Sequence, residues 1–142
     1  MPSSEDTLAM LSRAQELGLL PKSMAAIEVW EGSWSGPCAH IGVVEDVLFI
    51  VAVDRDEHDG VLGDLQLHLA SRNLRCTLQP AQTAARDADA PWWEVQPTRI
   101  GGMLIEGGVP YFDAPEHPGV LGLLAAAVKA TEWRLAREAE VR

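Results

Sequence analysis

The chain has 142 residues, 47% hydrophobic and 23% charged, which is typical of a single globular domain and excludes disordered and fibrous proteins. Its 11 basic and 21 acidic residues give a net charge of −10, which disfavours direct binding to nucleic acid. No apolar run reaches the roughly 18 residues of a membrane span, and no secretory signal is evident, so we expect a cytoplasmic protein.

Two further features of the composition bear on the class of protein. Cys38 and Cys76 are too few for a disulfide scaffold or a structural zinc site, so we expect reduced thiols. Nine arginines stand against two lysines and alanine is abundant, which we take to indicate a GC-rich bacterial or phage genome.

The first predicted element is an N-terminal helix. Ser3 or Ser4 supplies a side-chain oxygen to cap it, and apolar residues follow at helical spacing as far as Leu17. Gly18 is placed to terminate the helix, and Pro21 prevents its continuation.

Strands and a middle helix follow. The alternating pattern of residues 25–31 predicts a strand, and the apolar runs 39–44 and 47–53 predict a hairpin around Glu45-Asp46. Asp59 is expected to cap the middle helix, and the alternating segment 74–79 returns to strand.

The last third of the chain contains a loop, two glycine pairs and a long helix. Residues 80–91 lack an apolar pattern and predict a surface loop, and 92–96 predict a strand. The segment 103–112 predicts a hairpin with Gly107-Gly108 as its two-residue turn, whereas Gly101-Gly102 is expected only to lead into that hairpin or to form a bulge. A long helix runs from about Pro118 to the end.

These elements predict one α+β domain spanning residues 1–142. We expect a single, mostly antiparallel sheet of about five to seven strands with the N-terminal, middle and C-terminal helices on one face. This order of elements is similar to that of the dimeric chaperones of bacterial type III secretion, a likeness of fold that rests on no residue motif.

The C-terminal helix is apolar around much of its circumference. One apolar ridge consists of Leu121, Leu124, Val128 and Leu135. Leu123 and Trp133 lie on a face turned well away from it. In a domain of this size, we expect a second copy of the chain to cover one of the two faces. The helix therefore predicts a homodimer.

Tryptophans provide the second indication of a partner. They cluster in two short segments, and two neighbours on a strand face opposite sides, so at least one should be exposed or covered by another chain. The predicted partner surface consists of Trp30, Trp34, Trp92, Trp93, Leu123 and Trp133.

An acidic cluster after the most hydrophobic strand offers a different function. Asp54, Asp56 and His58 could collect Mg²⁺ or Mn²⁺ and support a small metal-assisted hydrolase. We favour the simpler interpretation, a solvated turn between a strand and a helix. Cys38 and His40 could likewise form a nucleophile, but no acid that would orient the imidazole is evident nearby.

The sequence therefore favours a non-catalytic, acidic protein-binding module of the chaperone, adaptor, immunity or phage-inhibitor type. We expect no cofactor, and a partner that is another protein, basic in charge, since charge complementarity speeds encounter. The alternatives are the metal-assisted hydrolase and a small-molecule binder with a Trp-lined pocket.

Overall fold

A computed structural model describes residues 4–22, 24, 28–30, 33–35, 39–44, 47–52, 55–79, 92–105, 109–117 and 119–141. Three helices and eight strands lie in these ranges, so the α+β class is as predicted. The strands pair as one four-stranded sheet and two separate two-stranded ladders, where a single larger sheet was expected. The chain forms two compact units, Met1–His68 and Leu69–Arg142.

The first unit opens with helix α1, Ser4–Glu16. Its end follows the predicted signal, because Gly18 takes the left-handed conformation with φ of 71°. The Leu19 amide donates to the Ala14 carbonyl at 2.9 Å, and the Gly18 amide donates to the Gln15 carbonyl at 3.1 Å. These two bonds define a Schellman motif and satisfy carbonyls that the helix leaves open.

Four strands follow in an antiparallel meander: β1 (Glu28–Trp30), β2 (Ser33–Ser35), β3 (Ala39–Val44) and β4 (Val47–Ala52). The predicted hairpin of β3 and β4 is confirmed, with register from Ala39 opposite Ala52 to Val44 opposite Val47. β2 was not predicted, because its short, polar SWS segment lies between glycines and gives no alternating apolar pattern.

Helix α2 spans Arg55–Ser71 and crosses the boundary between the two units. It begins four residues before Asp59, so the prediction that Asp59 caps this helix was wrong. The polar run before the apolar stripe is part of the helix, because helical backbone tolerates charged residues on positions that no apolar side chain requires.

The second unit is built on a strand pair. At the end of α2, Asn73 takes a φ of 64° and turns the chain into β5 (Leu74–Gln79). This strand pairs antiparallel with β6 (Trp92–Pro97), in a register from Leu74 opposite Pro97 to Gln79 opposite Trp92. Val95 also exchanges two backbone bonds with Phe112, at 2.8 and 2.9 Å, so Phe112 lies at the edge of β6 that β5 leaves open.

A short hairpin follows β6. Strands β7 (Arg99–Ile100) and β8 (Met103–Leu104) pair antiparallel around Gly101 and Gly102, whose φ angles are 57° and 82°. Positive φ at both central residues is the signature of a type I′ turn. The hairpin turn is therefore at the first glycine pair, and Leu104 pairs with Arg99 where Tyr111 was expected; Gly107-Gly108 lies outside the described residues.

Helix α3, Gly119–Val141, packs against β6 and supplies most of the core of the second unit. Every residue from 121 to 128 is buried. Gly122 is required for close packing at its first turns, because an added Cβ would lie 2.7 Å from the carbonyl oxygen of His117.

The position of Leu123 in this core gives a first prediction. Leu123→Ala should lower the free energy of unfolding by about 3 kcal/mol, because it leaves a cavity beside a fully buried side chain. Leu135→Ala, on the same helix at a position 40% exposed, should cost less than about 1 kcal/mol. Equal losses for the two variants in urea denaturation would contradict this packing.

Substitution by alanine at two glycines should change stability in opposite directions. Gly102→Ala should destabilise the protein by about 1 kcal/mol, because an L-residue is strained at its positive φ. Gly63→Ala, inside α2 with no atom within 4 Å of the added Cβ, should stabilise it by about 0.5–1 kcal/mol. Thermal denaturation of both variants measures the difference, and stabilisation by Gly102→Ala would exclude the type I′ turn.

Candidate functional site

Two residues of the predicted partner surface are core residues. Leu123 is completely buried and Trp92 is 8% exposed. The chain's own residues therefore cover both side chains. Self-association through α3 stays a prediction. Trp93, opposite Leu78 in the β5–β6 ladder, is half-buried.

Trp133 is also largely covered by its own chain. The Phe112 ring lies at a tilt of 52° with its centroid 6.1 Å away, and the Arg137 guanidinium stands 5.3 Å from the centroid of the Trp133 ring. Both contacts are favourable in their own right, the second as a cation–π interaction. The half-buried Trp133 therefore completes a local cluster of the second unit.

Trp30 and Trp34 lie in the first unit, apart in sequence from the others. Trp30 ends β1 opposite Ser33, and Trp34 is central in β2, opposite Val29 and Ile41. The backbone places them on neighbouring strands of one sheet. Their membership of a partner surface stays a prediction, as does a Trp-lined ligand pocket.

The residues of the alternative metal site lie at or just before the start of α2. Asp54 lies outside the described residues, while Asp56 and His58 are in the first turn of α2, with side chains that the structure does not describe. Positions two apart on a helix are not neighbours on its surface. Among the side chains that are described, no group of three or more His, Cys, Asp or Glu could hold a metal ion.

The predicted Cys38–His40 nucleophile is not tested by the structure, and the second cysteine, Cys76, is a free thiol. Cys38 lies outside the described residues, and His40 is a β3 residue opposite Ser35 and Val51. Cys76 lies in β5 as a half-buried free thiol, and burial raises its pKa to about 11. Because the thiolate is the reactive form, Cys76 is a poor nucleophile near neutral pH.

Among the described residues of the second unit, the large apolar side chains with the highest exposed fractions follow Gly101-Gly102. Met103 is 75% exposed and Leu104 is 66% exposed, and Tyr111, seven residues on, is 62% exposed. Successive residues on a strand point to opposite faces, so exposure of both Met103 and Leu104 leaves both faces of β8 uncovered. We call residues 99–104, strands β7 and β8 with their turn, the hairpin arm.

Hydrogen bonds fix the arm at its base and at its tip. At the base, the Ile105 amide donates to the Thr98 carbonyl at 3.0 Å. At the tip, Arg99 Nη1 donates to the Gly102 carbonyl at 2.8 Å, and the Gly101 amide donates to Glu138 Oε1 at 2.8 Å. The arm is therefore an ordered feature that presents apolar side chains to solvent.

Charge is divided very unequally between the two units. Residues 1–68 contain 3 basic and 12 acidic side chains, a net charge of −9, whereas residues 69–142 contain 8 basic and 9 acidic ones, a net charge of −1. The acidity inferred from overall composition thus belongs almost entirely to the first half of the chain, and the arm belongs to the nearly neutral half.

No protein family, curated protein or solved structure matches the chain. Within the described part of the chain, none of the helices has both the length and the apolar character needed to cross a bilayer.

The environment of Cys76 predicts a pH effect. Between pH 9 and 11 the thiol of the unfolded chain loses its proton, since its ordinary pKa is 9.0, while the folded protein retains it. Cys76 thus makes stability fall as pH rises through this window. Urea denaturation at pH 8.5 and 10.5 should show a smaller fall for Cys76→Ala than for the wild type, and parallel falls would contradict the assignment.

Proposed function

We propose that the chain is a non-catalytic protein-binding module, active in the cytoplasm, that docks on its partner through the hairpin arm. The observation that supports this most directly is the exposure of Met103 and Leu104 on the two faces of one strand. Exposed apolar side chains that are neighbours in one element are typical of interaction sites, because leaving them in water has a free-energy cost that a partner removes.

The shape of the arm favours insertion into a partner over contact with a flat surface. Both faces of β8 are uncovered, so a groove with two apolar walls would bury Met103 and Leu104 together. Arg99 is the one charged residue within the arm, and its guanidinium already bonds to the Gly102 carbonyl. The proposed groove is therefore apolar and needs no cofactor.

The acidic first unit favours a partner whose surface is basic outside the groove that receives the arm. A net charge of −9 within 68 residues would attract a positively charged protein over distances near the Debye length, about 8 Å at physiological salt. Charge of this kind mainly raises the association rate, while the buried apolar contact slows dissociation. Chaperones, adaptors, immunity proteins and phage inhibitors all remain within this proposal.

The proposal does not include the homodimer through α3 that the sequence suggested. Of the residues on which that prediction rested, Leu123 is buried, and Trp133 is half-buried beside Phe112 and Arg137. A homodimer that used the hairpin arm would also bury the exposed Met103 and Leu104. Sedimentation of the purified protein distinguishes such a homodimer from a complex with a different protein.

Affinity capture from the native host with matched variants tests the proposal. Met103→Ser combined with Leu104→Ser should weaken partner binding by about tenfold or more, since buried anchor residues dominate interface energy. The control is Leu67→Ser, which removes an apolar side chain that is 73% exposed on α2.

The expected result is a protein that the wild type and the Leu67→Ser variant retain and the arm variant loses. Its association rate, measured by surface plasmon resonance, should fall as salt rises from 50 to 500 mM. A partner retained equally by all three proteins would reject the arm as the docking surface, and a salt-independent rate would reject electrostatic attraction.

A further inference from the structure

The tip of the hairpin arm has its position set by one carboxylate of α3. The Gly101 amide donates to Glu138 Oε1 at 2.8 Å, across 37 residues of sequence. Charge-assisted bonds of this kind are shorter and stronger than neutral ones. In the type I′ turn, this amide points out of the hairpin and would otherwise be bonded to water.

Glu138 is itself positioned by a second contact. Arg134 Nε lies 3.7 Å from the same oxygen, Glu138 Oε1, one helical turn away. Arg134 Nη1 also donates to the Arg72 carbonyl at 2.9 Å, where α2 ends. The carboxylate thus lies between the end of one helix and the turn of the arm.

This pair is better sheltered than the other short-range ion pairs on the helices. The side chains of Arg134 and Glu138 are 19% and 27% exposed, whereas those of Arg137 and Glu140 are 54% and 67% exposed. Fully exposed pairs contribute little to stability because water screens them. Partial shelter makes the Arg134–Glu138 contact stronger than that of a typical surface pair.

We propose that Glu138 is a positioning residue. It holds the hairpin arm in one orientation, so that the arm is already ordered when Met103 and Leu104 contact a partner. This inference rests on the proposed function for its purpose, although the restraint itself does not. Pre-ordering a binding element reduces the conformational entropy lost on association, and this improves affinity without adding a contact.

The restraint is measured at the Gly101 amide by NMR, in the full-length protein and without a partner. Glu138→Ala should speed exchange of this amide with water by about two- to fivefold, because it removes one charge-assisted hydrogen bond that is exposed to solvent. Its proton resonance should also move upfield. Glu138→Gln keeps an acceptor oxygen, so it should retain most of the protection and separate hydrogen bonding from charge.

Glu140→Ala is the matched control, because Glu140 is on the same helix and pairs with Arg137. It should leave the Gly101 amide unchanged, and the Ile105 amide at the base of the arm should stay protected in every variant. Equal exchange of Gly101 in the wild type and in Glu138→Ala, with both folded by circular dichroism, would overturn the inference.

The two proposals fail separately. If Gly101 is protected only when Glu138 is present but Met103 and Leu104 are dispensable for partner capture, the restraint stands and the docking function is rejected. If the arm is needed for capture but Gly101 exchanges equally in the wild type and Glu138→Ala, the positioning role is rejected and the proposed function stands.

Discussion

The packing of α3 against β6 is the interaction on which the second unit depends. Residues 121–128 are all buried, including the three successive alanines 125–127. β6 is held on both edges, by β5 along one side and by Phe112 at Val95 on the other. The same helix carries Arg134 and Glu138, and Glu138 contacts the arm at Gly101.

Local signals predicted local structure well. Gly18 ends α1 as expected, because a Schellman motif needs only a residue that accepts positive φ and the helix before it. The β3–β4 hairpin was likewise evident from two apolar runs around a short polar turn. Apart from β2, the order of helices and strands followed from such signals, but the division of the strands into separate sheets did not, since pairing partners depend on contacts distant in sequence.

The candidate site was missed for two physical reasons. As sequence signals, both glycine pairs fit a type I′ turn equally well, and the Gly101 bond to Glu138 comes from a residue distant in sequence. The apolar faces of α3 were counted correctly, but helical periodicity does not reveal how much of a helix its own chain covers. Leu123 therefore looked like partner surface although it is core, whereas Met103 and Leu104 looked like ordinary strand residues.

The exposure of Met103 and Leu104 also bears on how the protein can change over generations. Side chains with three-quarters and two-thirds of their surface in water contribute little to folding, so substitutions there are nearly neutral for the native state. The turn and the carboxylate that orient the arm are separate residues. Under the proposed function, recognition can therefore diversify at residues 103 and 104 under selection by a changing partner, while the scaffold beneath them stays constant.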